Sequence, residues 1–321
     1  MRVSVALCTF NGRPFLVEQL RSLADQLRAP DELVICDDAS TDGTPDLLDA
    51  FARAVPFPVR VFRNPINLGT SANFARAIAL CTGDAICLCD QDDVWARLKV
   101  ARFAAEFVAH PDTGLVASDL DVVDATGRAQ GRRVWQSLPF TRAQRARVRA
   151  GEGPRLWLRY NTLTGAALAF RADLRDAILP IPAGWVHDAW IAFVYGALAP
   201  VRLIDEPLTQ YRVHAGQQIG CEPRTTGREI GRARRFDAAY FAHVAARFEV
   251  AADRLAALGP RVRDPDLLAL TRAKVALARS QQRMREGGRL GRVGPAVRHL
   301  LAGRYHRLAR GWKSCAADLF L

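Results

Sequence analysis

The sequence predicts an α/β protein with a mostly parallel sheet flanked by helices, followed by a helical C-terminal extension. Three observations predict it. Short apolar runs rich in β-branched residues alternate with stretches of helical spacing through the first part of the chain. Acidic groups stand directly after the second and fourth of those runs. From Arg228 onward the pattern is helical throughout.

Val3 to Phe10 reads as the first strand, turned by Asn11-Gly12-Arg13-Pro14, and Phe15 to Leu27 as the first helix. Glu32 to Cys36 is the second strand and runs into Asp37-Asp38-Ala39-Ser40. The next helix opens on Thr44-Pro45, where proline's fixed φ suits a helix start. Val59 to Arg63, the helical Ser71 to Cys81 and the strand Ala85 to Cys89 follow, and the last ends at Asp90. Strand–helix–strand units close right-handed and build parallel sheets, whose ligands sit beyond the carboxyl ends of the strands. Both acidic groups fall at that edge. Leu115 to Ser118, Thr164 to Phe170 and Val201 to Ile204 are further regular stretches, with a helix around Asp188 to Ala197. Gly131 to Arg155 is Arg-rich without periodicity and is expected to be a long mobile excursion.

With 321 residues, half of them hydrophobic, the chain can bury a full core. No apolar run is long enough to span a bilayer, and the first residues do not resemble a signal peptide. The odd count of seven cysteines in mostly apolar surroundings suggests a reduced, cytoplasmic protein. The net charge of +12 is unevenly placed: residues 1–223 carry −1 and residues 224–321 carry +13. That asymmetry implies a near-neutral body and a basic appendage directed at an anionic surface.

Asp90-Gln91-Asp92-Asp93-Val94-Trp95 concentrates three carboxylates just past a buried strand. Such a cluster needs compensation, and a divalent cation such as Mn²⁺ or Mg²⁺ supplies it while bridging to substrate phosphates. A helix N-cap is the competing explanation for any single one of these aspartates.

Four segments then carry a resemblance: Val3 to Gly12, Asp31 to Thr44, Asn67-Leu68-Gly69, and Asp90 to Trp95. In this order they resemble family 2 of the inverting GT-A glycosyltransferases. Tyr211-Arg212-Val213-His214-Ala215-Gly216, with Ile219-Gly220, is similar to the rhamnosyltransferase-like subgroup. Cys8 stands where many relatives have proline.

The resemblance implies a GT-A fold, Rossmann-like, with a catalytic domain over residues 1–225 and a basic helical region over 226–321. It implies an inverting transfer of a sugar, with L-rhamnose from dTDP-rhamnose favoured and a UDP-sugar as the alternative donor. Thr9, Asn11, Asp37, Asp38, Asn67, Gly69, Asp90, Arg212 and His214 would bind the donor, Asp38 by accepting the N3–H of a uracil or thymine ring. Asp90, Asp92 and Asp93 would hold the cation, the direct ligand being Asp92 or Asp93. Asp188 would be the base that inversion requires opposite the leaving group. Thr164, Gly165, His187 and Trp190 would line the acceptor side. His214 stands either as a ligand of cation or diphosphate or as a surface residue ordered by Tyr211.

The tail carries its own expectation. Val297, Leu300, Leu301, Tyr305, Leu308, Trp312, Cys315 and Leu319 recur at helical spacing among Arg298, Arg304, Arg307, Arg310 and Lys313. One amphipathic helix of this kind suits an anionic headgroup layer, placing the protein peripherally on the inner face of the cytoplasmic membrane with a lipid-linked or polysaccharide acceptor. The same helix could instead pack on the body. A nucleic-acid-binding protein is the reading from another class, and it is disfavoured because aromatic residues are not interleaved with the charge. A nucleotidyltransferase would want a glycine-rich phosphate loop, which Asn11-Gly12-Arg13-Pro14 does not provide.

Overall fold

Every residue from Val3 to Thr9 is buried, a pattern a strand shows when it is covered on both faces and flanked on both sides. In the computed structural model, which describes residues 1–138, 140–217, 236–288 and 290–320, this run is β1 (Val3–Thr9). It lies in parallel between β2 (Glu32–Asp37) and β4 (Ala85–Cys89), with β3 (Val59–Arg63) outside β2. Thr9 is in register with Asp37, and Leu7 with Cys89. The segments that follow these strands therefore emerge at one edge of the sheet.

The expected connections are present as α1 (Arg13–Ala24), α2 (Thr44–Ala54) and α3 (Thr70–Leu80). Leu16, Leu20 and Leu23 of α1 are buried in the same core as Val5, Leu7 and Leu33 of the sheet. Each such side chain contributes about 2 kcal/mol relative to leaving it exposed. Beyond β4 the sheet becomes mixed. β8 (Leu168–Arg171) runs antiparallel to both β4 and β6 (Leu115–Asp124), while β9 (Val201–Val213) is parallel to β6. The short β5 (Val94–Trp95), just after the acidic segment, pairs antiparallel with Gln210 and Thr209 of β9. That pairing brings Arg212 and His214 back to the acidic segment.

The segment expected to be an excursion is ordered. β7 (Ala129–Arg133) pairs with β6, and α5 (Val134–Ser137) and α6 (Arg142–Arg147) follow. Thr141 caps α6, its hydroxyl accepting from Gln144 N. Trp135 and Phe140 are buried edge to face, 5.2 Å apart. These elements are too short for a periodic pattern to reveal them.

The chain divides into two compact units, residues 1–151 with 162–221 and residues 152–161 with 222–321. The stretch 152–161, read from the sequence as part of the first domain, belongs to the second unit, where α7 (Gly153–Trp157) lies. Arg155 anchors it there with two hydrogen bonds to Asp264, at 2.6 and 2.7 Å. In that unit α9 (Ala238–Leu258) packs along α10 (Leu267–Glu286).

The single amphipathic helix expected at the end is three short ones: α11 (Leu290–Leu301), α12 (Arg304–Leu308) and α13 (Trp312–Phe320). Gly303 and Gly311, at φ 64° and 62°, make the two breaks. Tyr305, Leu308 and Cys315, assigned from the sequence to a lipid-facing stripe, are buried within the protein. Tyr305 donates to Asp318, which Gln281 and Arg285 also hold.

Candidate active site

The ends of β1 and β2 are tied to each other by side chains. Asp37 accepts from the hydroxyls of Thr9 (2.8 Å) and Ser40 (2.6 Å) and from Ser40 N (3.0 Å). Asn11 N donates to Ser40 Oγ, and Asn11 Oδ1 accepts from Thr41 N. Among the described residues, Asn11 (φ 48°) and Ala39 (φ 63°) are the non-glycine residues with left-handed backbone. Both flank this edge, where strain held by surrounding bonds marks functional loops. Thr9 and Asp37 were expected to touch the donor. Both are buried inside the network that holds the loop.

Asp38 has a similar position. Its carboxylate accepts from Asn64 Nδ2 (2.5 Å), Leu68 N (2.8 Å) and Gly69 N (2.9 Å), and the residue is 2 % exposed. Asn67 Oδ1 also accepts from Gly69 N. Asp38, the residue expected to meet a pyrimidine ring, thus folds the 64–69 loop over the edge.

Gln91 clamps the acidic segment to β1, accepting from Phe10 N and donating to Phe10 O. Gly12 leaves room for this clamp, since a Cβ there would lie 2.3 Å from Gln91 Oε1 and would displace that side chain. The three aspartates then part company. Asp93 is 1 % exposed, with Oδ1 accepting from Arg212 N (3.0 Å) and Oδ2 enclosed without a partner. Burial, then the charges of Asp92 and Asp90, push its carboxyl well above the usual range. Asp93 is therefore an inward-facing group, more enclosed than Asp92 beside it. Asp90 is half-buried and raised to about 7 by burial and by the charges of Asp92 and Asp188. The folded state binds the Asp90 proton more tightly than the unfolded chain, so this carboxyl's contribution to stability falls as pH rises from about 4 through about 7.

A buried cation opposes this charge. Lys99 is fully enclosed, Nζ donating to Ala166 O (2.5 Å) and Thr209 Oγ1 (2.8 Å) and lying 3.7 Å from the Trp95 ring centroid. Burial lowers it to about 8, while Asp93 and Asp90 pull the other way. Sequence reasoning missed Lys99, because a lysine opening an amphipathic helix, α4 (Lys99–Ala109), ordinarily faces solvent.

Arg212, expected to grip phosphate, is 1 % exposed and committed to protein acceptors: Asp92 O, Ala125 O and Glu18. It is a strut between β9 and the acidic segment. His214 does reach the site. Gly216 N donates to its Nδ1 (3.2 Å), which places the proton on Nε2, and Nε2 lies 2.9 Å from Asp92 Oδ2. Phe15 packs on the imidazole, ring centroids 4.4 Å apart.

Asp188 stands in the first turn of α8 (His187–Leu198), half-buried, with Oδ2 accepting from Gly165 N (3.1 Å). Thr164 opens the same short turn, its carbonyl accepting from Ala167 N. Gly165 permits close approach, since a Cβ there would lie 2.7 Å from His187 Nε2. His187 is buried, stacked on Phe74 at 4.1 Å, and burial lowers it to about 3, so it is neutral and no proton carrier. Trp190, expected on the acceptor side, is fully buried and donates to Ile178 O. It belongs to the core.

Among the described residues no three His, Cys, Asp or Glu side chains converge as a ready-made metal cage. Asp92 with His214 is a two-donor site of oxygen and nitrogen, a set that Mn²⁺ accepts with its remaining positions filled by phosphate oxygens or water. A cation there would take the place of the hydrogen bond between the two.

Residues 4–154 match the model described as "Glycosyl transferase family 2". An uncharacterized glycosyltransferase of Nostoc sp. is 27% identical over 224 residues, covering 67% of this chain and 65% of that protein. The dTDP-rhamnosyl transferase RfbG of Shigella flexneri is 33% identical over 98 residues, 29% of this chain and 34% of RfbG. The chain thus spans less than two thirds of the length of either relative. Among solved structures, S. aureus TarS 1-349 in complex with UDP-GlcNAc superposes with a TM-score of 0.57 at 16% identity, over 88% of this chain and 72% of that one. The mannosyltransferase PcManGT from Pyrobaculum calidifontis, in complex with GDP-Man and Mn2+, gives 0.54 at 22% identity, over 99% and 84%. The sheet, its acidic edge and these likenesses agree: residues 4–154 are similar to glycosyl transferase family 2, and the chain shares the fold of these two solved transferases.

Proposed function

We propose that the chain is an inverting glycosyltransferase that moves a sugar from a nucleoside-diphosphate donor to a hydroxyl of a lipid-linked or polysaccharide acceptor. The observation that carries the reading is the gathering of Asp90, Asp92, His214 and Asp188 at the carboxyl edge of the sheet, where Asp90 feels the charges of both Asp92 and Asp188.

The donor diphosphate lies against Asp92 and His214, which would hold Mn²⁺ or Mg²⁺. When bound, that ion supplies charge stabilisation for the departing diphosphate. Asp188 accepts the proton of the acceptor hydroxyl as its oxygen bonds to the anomeric carbon and the carbon–phosphate-oxygen bond breaks. Gly165 N–H fixes the Asp188 carboxylate for that transfer. His187, neutral and stacked on Phe74, walls the acceptor side without trading protons. The protein works peripherally at the inner face of the cytoplasmic membrane. L-Rhamnose from dTDP-rhamnose is the favoured donor, supported by the Tyr211-to-Gly216 segment and the likeness to RfbG.

A panel of nucleotide-sugars, assayed with Mn²⁺ for release of the nucleoside diphosphate, tests this. Turnover with dTDP-rhamnose at least about tenfold above UDP- and GDP-sugars is expected, a discrimination worth ~1.4 kcal/mol. Preference for a UDP-sugar would replace the donor, and no release from any donor would defeat the reading.

A further inference from the structure

We infer that the C-terminal unit carries a docking surface for an anionic lipid bilayer, centred on one face of α11. This gives the proposed peripheral location a surface, and rests on that part of the reading rather than on the chemistry of transfer. The surface differs from the stripe the sequence suggested, because Tyr305, Leu308 and Cys315 of that stripe are core.

Val293, Val297 and Leu301 are 50%, 43% and 84% exposed. They stand four residues apart and so form one row along the helix. Ala296 and His299, on the inward side, are buried, which fixes the orientation of α11. Trp312 and Phe320 of α13 are also exposed, at 65% and 75%. Large apolar side chains left in water on both helices are uncommon on a soluble surface without a partner.

The charge says which partner. Residues 290–320 contain Arg292, Arg298, Arg304, Arg307, Arg310 and Lys313 against a single carboxylate, Asp318. Asp318 is 1% exposed and held by Arg285, Tyr305 and Gln281, so it offers nothing to a ligand. Arg298, Arg307, Arg310 and Lys313 are all exposed. The segment thus presents cations and apolar side chains with no exposed carboxylate. A bilayer of acidic lipids accepts both: the phosphates meet the guanidinium groups, and the aliphatic row enters the headgroup boundary. Nucleic acid would use the cations and leave the aliphatic row in water. Among the described residues no helix is long and apolar enough to cross a membrane, so the contact is a surface one.

The experiment uses the full chain, sedimented with vesicles of phosphatidylcholine alone or with about a third phosphatidylglycerol. Binding to the anionic vesicles is expected at least about tenfold above the neutral ones, weakening with added salt. Leu301→Asp combined with Val297→Asp should lower the anionic binding by about tenfold, with the helical circular-dichroism spectrum retained because Leu301 is 84% and Val297 43% exposed. Failure of the native chain to bind, or undiminished binding by the double variant, overturns the inference. So does a dimer or a duplex-DNA complex that the double variant abolishes while vesicle binding is absent. Nucleoside diphosphate binding, measured on the same preparations, reports separately on the transfer reading.

Discussion

Asp188→Asn is expected to reduce sugar transfer by about 10²- to 10⁴-fold, the usual contribution of a positioned general base, while nucleoside diphosphate affinity stays within about twofold. Asparagine has nearly the shape of aspartate and retains an oxygen to accept from Gly165 N–H, so the turn at Gly165 and the start of α8 should persist. What it loses is a basic oxygen for the acceptor proton. The variant also removes one of the charges that raise Asp90, so its melting temperature should hold or increase. Steady-state transfer and calorimetric titration with the nucleotide separate the two effects. Turnover surviving near the native rate would remove Asp188 from the role, and loss of nucleotide binding would show a structural defect instead.

Asp38→Ala is expected to cost about 3 kcal/mol of folding stability, in line with removing a buried acceptor from several donors, and to weaken nucleotide binding by about tenfold or more, ~1.4 kcal/mol. Three donors, on Asn64, Leu68 and Gly69, lose their common acceptor. The 64–69 loop would then be free to leave the edge. Asp38→Asn should fare little better, because one end of the amide sets N–H groups against the loop's own N–H groups. Urea unfolding together with nucleotide titration checks both consequences. Native stability in either variant would mean that the carboxylate does not organise the loop.

Much of this architecture was legible in the sequence. The continuous apolar runs of β1, β2 and β4, bounded by Asn11-Gly12 and the aspartates, placed the parallel half of the sheet and its functional edge. The antiparallel turn at β8 was not legible, because a run as short as Leu168-Ala169-Phe170-Arg171 looks alike in either direction. Asp90, Asp92 and Asp188 were picked out by type and position, and the structure brings them near enough for Asp90 to feel the charges of the other two. Identity alone did not tell which groups face inward. Asp37, Asp38 and Arg212 are as polar as the more exposed members of the site, and only the three-dimensional contacts show their bonds taken by protein. Lys99 had no signal at all: its burial depends on Ala166 and Thr209, distant in sequence. In the tail the apolar spacing was real, yet Gly303 and Gly311 broke one helix into three and turned Tyr305, Leu308 and Cys315 inward.

The central claim is that the edge formed by Asp90, Asp92 and His214 holds a nucleoside diphosphate together with a divalent cation. Calorimetric titration of the full chain with dTDP or UDP, with and without Mn²⁺, tests it most directly. Saturable binding that requires the ion, and that His214→Ala weakens by about tenfold or more, is the expected result. Binding of neither nucleotide under any condition, or binding indifferent to both Mn²⁺ and His214, would contradict it.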